Sequence, residues 1–223
     1  MDPLAEKRVW LNPYNYCQNN PILRFDPNGL TDYKVNKKTG KITIVGKKNN
    51  DEKDRILRTD KNGNVKKKGE GFLGFLVRKS ERGKPKVAIK NISKGILKEG
   101  LNLKENTNHF NVNGIKQPTL KEFNYFISKF SDFVGKEIAG IRLGNVNNSK
   151  TSRVLTYKYK GSTRFRSETP KSWFSKFGKY FKGHFHTHPY NNHTPSKDFD
   201  LILRKKYPKL NFYIISGGYE KSY

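Results

Sequence analysis

The clearest hydrophobic pattern in the chain lies within residues 117–135. Large apolar residues recur there at intervals of three and four, the spacing of one face of an α-helix, at Leu120, Phe123, Phe126, Ile127, Phe130 and Phe133. Thr119 and Glu122 have the spacing of a capping box at the start of a helix, and Gly135 is a typical C-terminal stop. The pattern therefore predicts an amphipathic helix that buries an aromatic face.

Short strands are predicted after this helix. Residues 137–144 form a short apolar run, residues 152–160 alternate between apolar and polar side chains, and residues 211–218 form a second apolar run. A helical pattern over residues 194–208 precedes the last of them. This order of helices and strands predicts an α/β domain over residues 101–223, in which helices flank a mixed β-sheet.

The chain before the helix has a weaker pattern. Residues 33–45 and 55–68 alternate around the turn sequences "KTG" and "NG", which indicates two β-hairpins with few apolar residues. Because isolated hairpins are marginally stable at best, we interpret residues 32–100 as a basic linker or spacer with short hairpins. Residues 1–31, rich in Asn, Pro and Tyr, are predicted to be irregular.

Composition and charge narrow the classes of protein. The chain has 223 residues, a formal net charge of +27 and 33% hydrophobic residues. The low hydrophobic share predicts one compact part joined to a polar, poorly packed part. The charge favours non-specific binding of polyanions; alternatively, the lysines are only a solvated surface, since they are spread along the chain. No apolar stretch is long enough to span a membrane, and the single Cys17 excludes an intramolecular disulfide.

Residues 1–31 carry a motif that composition does not explain. They contain "DPLAEK" and then "NPYNYCQNNPILRFDPNGL", which resembles the end of the core domain of RHS/YD-repeat proteins. The resemblance implies that this segment is the RHS core tail and that a variable C-terminal toxin follows it. Some family members cut themselves just after this motif, which implies autoprocessing near Leu30, with Asp26 and Asp2 as participants. Alternatively, Asp26 only caps a turn.

Four of the five histidines lie within eleven consecutive residues, "GHFHTHPYNNH". On a strand, His186 and His188 point to the same face at a spacing of about 6–7 Å, which lets both bind one zinc ion. His184 shares this face and is interpreted as a core or supporting residue, and His193 as a loop residue. Pro189 ends the strand. Two imidazoles and a carboxylate from the following helix would leave the fourth zinc position open, as in catalytic sites.

The same region resembles the JAMM (also JAB or MPN⁺) metallopeptidase family. The family pattern is a Glu on an "E-x-x-G-I-x-x-G" strand, then "H-T-H-P", then a Ser and an Asp. Glu137, the His186–His188 pair and Ser196 match it. The resemblance implies a cytidine-deaminase-like sheet, zinc as cofactor, Glu137 as general base and Ser196 as the hydrogen-bond donor to the oxyanion. Ser196 is also a typical N-cap of the following helix, and this role is compatible with that of the oxyanion donor.

The sequence departs from the family at the third metal ligand. The family Asp would fall at Phe199, with Asp198 and Asp200 on either side. Asp200 is favoured because an apolar Leu-Ile pair follows it directly, as in the family's helix. Asp198 stays open as the alternative ligand.

Together, the two resemblances imply a zinc-dependent peptidase or isopeptidase that acts as the C-terminal toxin of an exported RHS effector. The expected partners are a protein substrate in a target cell and an acidic immunity protein. Two alternatives remain open. One is a catalytically inactive JAMM-like binding module, which the Phe199 offset favours. The other is a basic toxin directed at nucleic acid, which the aromatic residues among Lys and Arg in residues 164–182 favour.

Overall fold

The structure is a computed structural model. It describes residues 31–36, 38–46, 52–144, 152–159, 176, 180–190, 192–195 and 200–223, with the side chain of Leu203 left out. In that part of the chain, two mixed β-sheets and two α-helices form a mixed α/β architecture. This confirms the predicted α/β class with a mixed sheet. None of the described helices is both long enough and apolar enough to cross a bilayer.

The first sheet has four strands in the order β2-β1-β3-β4. Its strands are β1 (Thr31–Val35), β2 (Ile42–Val45), β3 (Lys53–Leu57) and β4 (Val87–Ser93). β1 and β2 form the predicted hairpin around "KTG", whereas β1 and β3 are parallel. The segment interpreted as a spacer therefore contributes a complete sheet.

The second sheet has six strands in the order β10-β9-β8-β6-β7-β5. The strands are β5 (Asn108–Val112), β6 (Ala139–Leu143), β7 (Ser152–Thr156), β8 (Phe181–Thr187), β9 (Phe212–Ser216) and β10 (Tyr219–Ser222). β8 and β9 are parallel, and a second helix joins them; the other neighbours are antiparallel. The predicted apolar runs correspond to β6, β7 and β9.

Helix α1 (Leu120–Val134) confirms the predicted amphipathic helix. Thr119 and Glu122 form both hydrogen bonds of the capping box, and Gly135 adopts the left-handed conformation with φ of 64° that ends the helix. The side chains of Phe123, Phe126, Ile127 and Phe130 are fully buried. The aromatic face of α1 is therefore the centre of the core.

Both sheets contribute to this core. Tyr33, Ile42 and Ile56 from the first sheet belong to the same buried cluster as Phe110 and Phe185 from the second. Strands β1 to β4 are therefore packed against the same core as the second sheet, more tightly than a solvated spacer requires. The low overall hydrophobic share did not indicate this, because composition carries no information about which residues pack together.

Candidate metal centre

The register between β6 and β8 places Glu137 beside the histidines. Ala139 lies opposite His186 in the antiparallel ladder, and the Thr187 N–H donates to the Ile138 carbonyl at 3.0 Å. Continued by two residues, this register sets Glu137 opposite His188. On the other side of β6, Gly140 permits the close approach of β7, since a β-carbon there would lie 2.2 Å from the Leu155 carbonyl oxygen.

Helix α2 (Asp200–Lys206) brings the carboxylate. Strands β8 and β9 are parallel, so the chain must cross over between them, and α2 is part of that crossover. Its first residue, Asp200, therefore lies beyond the carboxyl end of β8, close to His186 and His188. Crevices at this end of the strands are common ligand sites in α/β sheets.

Four side chains meet at this point. The Nε2 atoms of His186 and His188 are 2.9 Å apart, and Asp200 Oδ2 lies 3.5 Å from His186 Nε2. Glu137 Oε1 lies 3.7 Å from His188 Nε2. The side chains of His186 and Asp200 are 7% and 6% exposed, and those of His188 and Glu137 are 11% and 14% exposed. The centre is therefore largely buried, and His188 and Glu137 keep the larger contact with solvent.

The three nitrogen and oxygen atoms of His186, His188 and Asp200 could hold a metal ion, since they lie within 4.8 Å of one another. A tetrahedral zinc ion with Zn–N bonds of about 2.0–2.1 Å separates neighbouring ligand atoms by about 3.3 Å. The observed separations of 2.9 and 3.5 Å lie on either side of that value. Two imidazoles and one carboxylate also match the ligand set of catalytic zinc sites.

Burial sets the protonation of the centre. It lowers the pKa of His188 to about 4, assisted by the neighbouring His186. His188 is therefore neutral at physiological pH and offers a lone pair to a metal. Burial, together with the charge of Asp200, raises the pKa of Glu137 to about 8. A carboxyl group with this proton affinity is suited to general acid–base chemistry near neutral pH.

Buried hydroxyl groups fix the position of the segment that carries Glu137. The hydroxyl of Thr187 accepts a hydrogen bond from the Ile138 N–H and donates one to Ser131 Oγ, both at 2.8 Å. Ser131 in turn donates to the Lys136 carbonyl oxygen at 2.7 Å. The end of α1, the Glu137 segment and the histidine strand are therefore joined by one hydrogen-bonded network.

Sequence reasoning missed Tyr223, which lies against the same centre. Its ring meets the ring of His186 edge-on at 6.1 Å, and its buried hydroxyl forms no hydrogen bond within the described part of the chain. Burial and the charges of Asp200 and Glu137 raise the pKa of this phenol, against an opposite effect of Arg204. No sequence motif indicated Tyr223, because its position at the centre depends on the pairing of strand β10 with strand β9.

The other predicted residues have different positions. His184 is buried next to His186, at 6.0 Å between ring centroids, and burial lowers its pKa to about 3. His193 Nε2 lies 3.4 Å from the Tyr219 carbonyl oxygen and does not belong to the three-ligand group. Four predicted residues, Ser196, Asp198, Asp26 and Leu30, lie outside the described residues, as does Asp2.

Comparisons with known proteins found no match to a family model, to a curated protein or to a solved structure. The function is therefore argued from the geometry of the metal centre.

Proposed function

We propose that the chain is a zinc-dependent peptidase or isopeptidase of the JAMM type. The observation that carries the proposal is the meeting of His186, His188 and Asp200 within 4.8 Å, with Glu137 3.7 Å from His188. The element order supports it as well: α1, the strand after Glu137, the histidine strand, α2 and β9 occur in the order of the family pattern, with β7 between the first two strands.

The proposed roles follow from the chemistry of each side chain. His186, His188 and Asp200 would hold the zinc ion. Zinc bound there would lower the pKa of a water ligand to about 7 and polarise a substrate carbonyl. Glu137 would accept a proton from the attacking water and return it to the leaving amine. Without a metal, burial raises the pKa of Glu137 to about 8, and the charge of a bound zinc ion would lower it and favour the carboxylate form that accepts the proton.

The proposed biological setting rests on the resemblance of residues 1–31 to the RHS core. We propose that the chain is the C-terminal toxin part of an exported RHS effector and acts on a protein of the target cell. Its net charge of +27 would favour an acidic substrate and an acidic immunity protein. Ser196 would donate a hydrogen bond to the oxyanion, and cleavage near Leu30 would release the toxin.

The experiment combines metal content with toxicity, so that it does not depend on knowing the substrate. The chain is produced in bacterial cells under an inducible promoter, and the purified protein is depleted of metal and reloaded with zinc. We expect wild type to bind one zinc ion and to stop growth. Glu137→Gln should keep the zinc and lose the toxicity, whereas His186→Ala should lose both.

His109→Ala is the matched control, because His109 is exposed on β5 and distant in sequence from the centre. It should behave as wild type. Undiminished toxicity of Glu137→Gln would refute its role as the base. If wild type binds no zinc and His186→Ala stays toxic, the inactive binding module is favoured. Nucleic-acid degradation that survives Glu137→Gln would favour the alternative of a basic toxin directed at nucleic acid.

A further inference from the structure

In the described part of the chain, a segment outside both sheets carries a group of large, exposed apolar residues that are close together in sequence. We call residues 58–86 the ribbon. Its two arms pair through backbone hydrogen bonds: the Lys68 N–H donates to the Lys84 carbonyl at 2.7 Å, and the Lys86 N–H donates to the Lys66 carbonyl at 2.8 Å. None of residues 58–84 is buried, so the ribbon extends away from the core.

The end of the ribbon exposes four large apolar side chains. Phe72 is 94% exposed, and Leu73, Phe75 and Leu76 are 60%, 66% and 69% exposed. We call these four residues the apolar tip. Single exposed apolar residues are ordinary, but a contiguous group of them marks an interaction site.

Hydrogen bonds and a close turn hold the backbone of the tip, although its side chains are largely exposed. The Arg82 guanidinium donates to the carbonyl oxygens of Phe75 and Val77, both at 3.1 Å. A β-carbon at Gly74 would lie 2.0 Å from the Gly69 carbonyl oxygen, so the turn requires glycine there. Glu81 pairs with lysines of both arms, at 2.5 Å to Lys68 and 2.6 Å to Lys84. The fold therefore presents the apolar tip in a defined conformation.

Basic residues flank the tip on both sides. Residues 66–86 contain eight Lys or Arg and two Glu, a net charge of +6. Lys66 and Lys67 before the tip and Arg78 and Lys79 after it are exposed. Apolar side chains bordered by cations match the two layers of an anionic bilayer, acyl chains beneath negatively charged headgroups.

We propose that the apolar tip inserts into the surface of an anionic lipid bilayer, with the basic residues of the ribbon bound to the headgroups. A protein partner fits less well, because the cores of protein interfaces are depleted in Lys, whereas five lysines lie within residues 66–84. The proposal is independent of the metal centre, since no residue of the ribbon contributes to that centre.

The test is co-sedimentation of the full chain with lipid vesicles. The probes are vesicles of phosphatidylcholine alone and vesicles of phosphatidylcholine mixed with phosphatidylglycerol. We expect wild type to bind the anionic vesicles. The double variant Phe72→Ser/Phe75→Ser should bind them with an affinity lower by a factor of at least about ten. Both side chains are largely exposed, so the circular dichroism spectrum and melting temperature of the variant should match those of wild type.

Ile115→Ser is the matched control, because Ile115 is 91% exposed in a different loop. It should bind as wild type does. Lys66→Glu/Lys79→Glu should weaken binding to anionic vesicles and should not reduce any binding to neutral vesicles. In a Phe72→Trp variant, vesicles should shift the additional tryptophan emission to shorter wavelength.

Three outcomes would overturn the proposal. The first is equal vesicle binding by wild type and Phe72→Ser/Phe75→Ser, and the second is equal binding of wild type to neutral and anionic vesicles. The third is no vesicle binding at all, with the tip required instead for the binding of a protein, which would assign the tip to a protein interface.

Discussion

Thr187 and Ile138 form a reciprocal pair at the centre of the site: the Ile138 N–H donates to Thr187 Oγ1 at 2.8 Å, and the Thr187 N–H donates to the Ile138 carbonyl at 3.0 Å. Thr187 lies between the two histidines, and Ile138 directly follows Glu137. One side chain therefore sets the position of the proposed base relative to the proposed metal ligands.

Replacing Thr187 should separate hydrogen bonding from packing. Thr187→Val keeps the shape but leaves the buried Ile138 N–H without its acceptor, which should lower the free energy of unfolding by about 1–3 kcal/mol. Thr187→Ser keeps the hydroxyl and should retain most of that stability. Urea unfolding of both variants measures this difference. Equal losses in the free energy of unfolding for Thr187→Val and Thr187→Ser would show that the hydroxyl does not contribute to stability.

Zinc affinity should distinguish the two candidate carboxylates. Asp200 Oδ2 lies 3.5 Å from His186 Nε2 in a buried setting, so Asp200→Asn should weaken zinc binding by more than the roughly 10–100-fold typical of supporting residues. Asp198→Asn should change it little. Competition with a chelating dye measures both affinities, and a larger loss in Asp198→Asn would reverse the assignment.

The stability of the metal-free protein should depend on pH through Glu137. Its folded-state pKa of about 8 lies above the ordinary value of 4.5. Between these values the unfolded chain has released the proton and the folded chain retains it, so the free energy of unfolding falls as pH rises. Glu137→Gln removes this loss and should therefore be more stable than wild type at pH 8, by on the order of a few kcal/mol.

At a pH near 4 the advantage of Glu137→Gln should disappear, because Glu137 is then protonated in both states. Chemical unfolding after chelation, at both pH values, measures the difference. The idea would be abandoned if the two proteins differed by the same amount at both pH values.

Tyr223→Phe should affect activity more than folding. The Tyr223 hydroxyl is buried without a hydrogen-bond partner among the described residues, so its removal should change the free energy of unfolding by no more than about 0.5 kcal/mol. If the proposed peptidase activity holds, this hydroxyl beside Asp200 and Glu137 should donate to bound water or substrate. Turnover should then fall about tenfold, the effect of one lost hydrogen bond. Unchanged turnover would leave Tyr223 a packing residue.

Local sequence patterns were sufficient to predict the secondary-structure elements that carry the site. Helix α1 follows from its three-and-four spacing and capping box, because both depend only on residues within one or two turns of each other. His186 and His188 point to the same face because side chains alternate between the two faces along a strand. From the same kind of pattern, residues 32–100 were predicted to be a spacer. Four short strands with few apolar residues give only weak local patterns.

The sequence by itself therefore determined that a helix, a paired-histidine strand and an acidic helix start would be present. Only the tertiary structure decided that β6 and β8 pair in the register that sets Glu137 opposite His188, that both sheets share one core, and that Tyr223 lies against His186. The physical reason is that register and packing depend on contacts between residues far apart in the chain, and local periodicity carries no information about which distant strands meet.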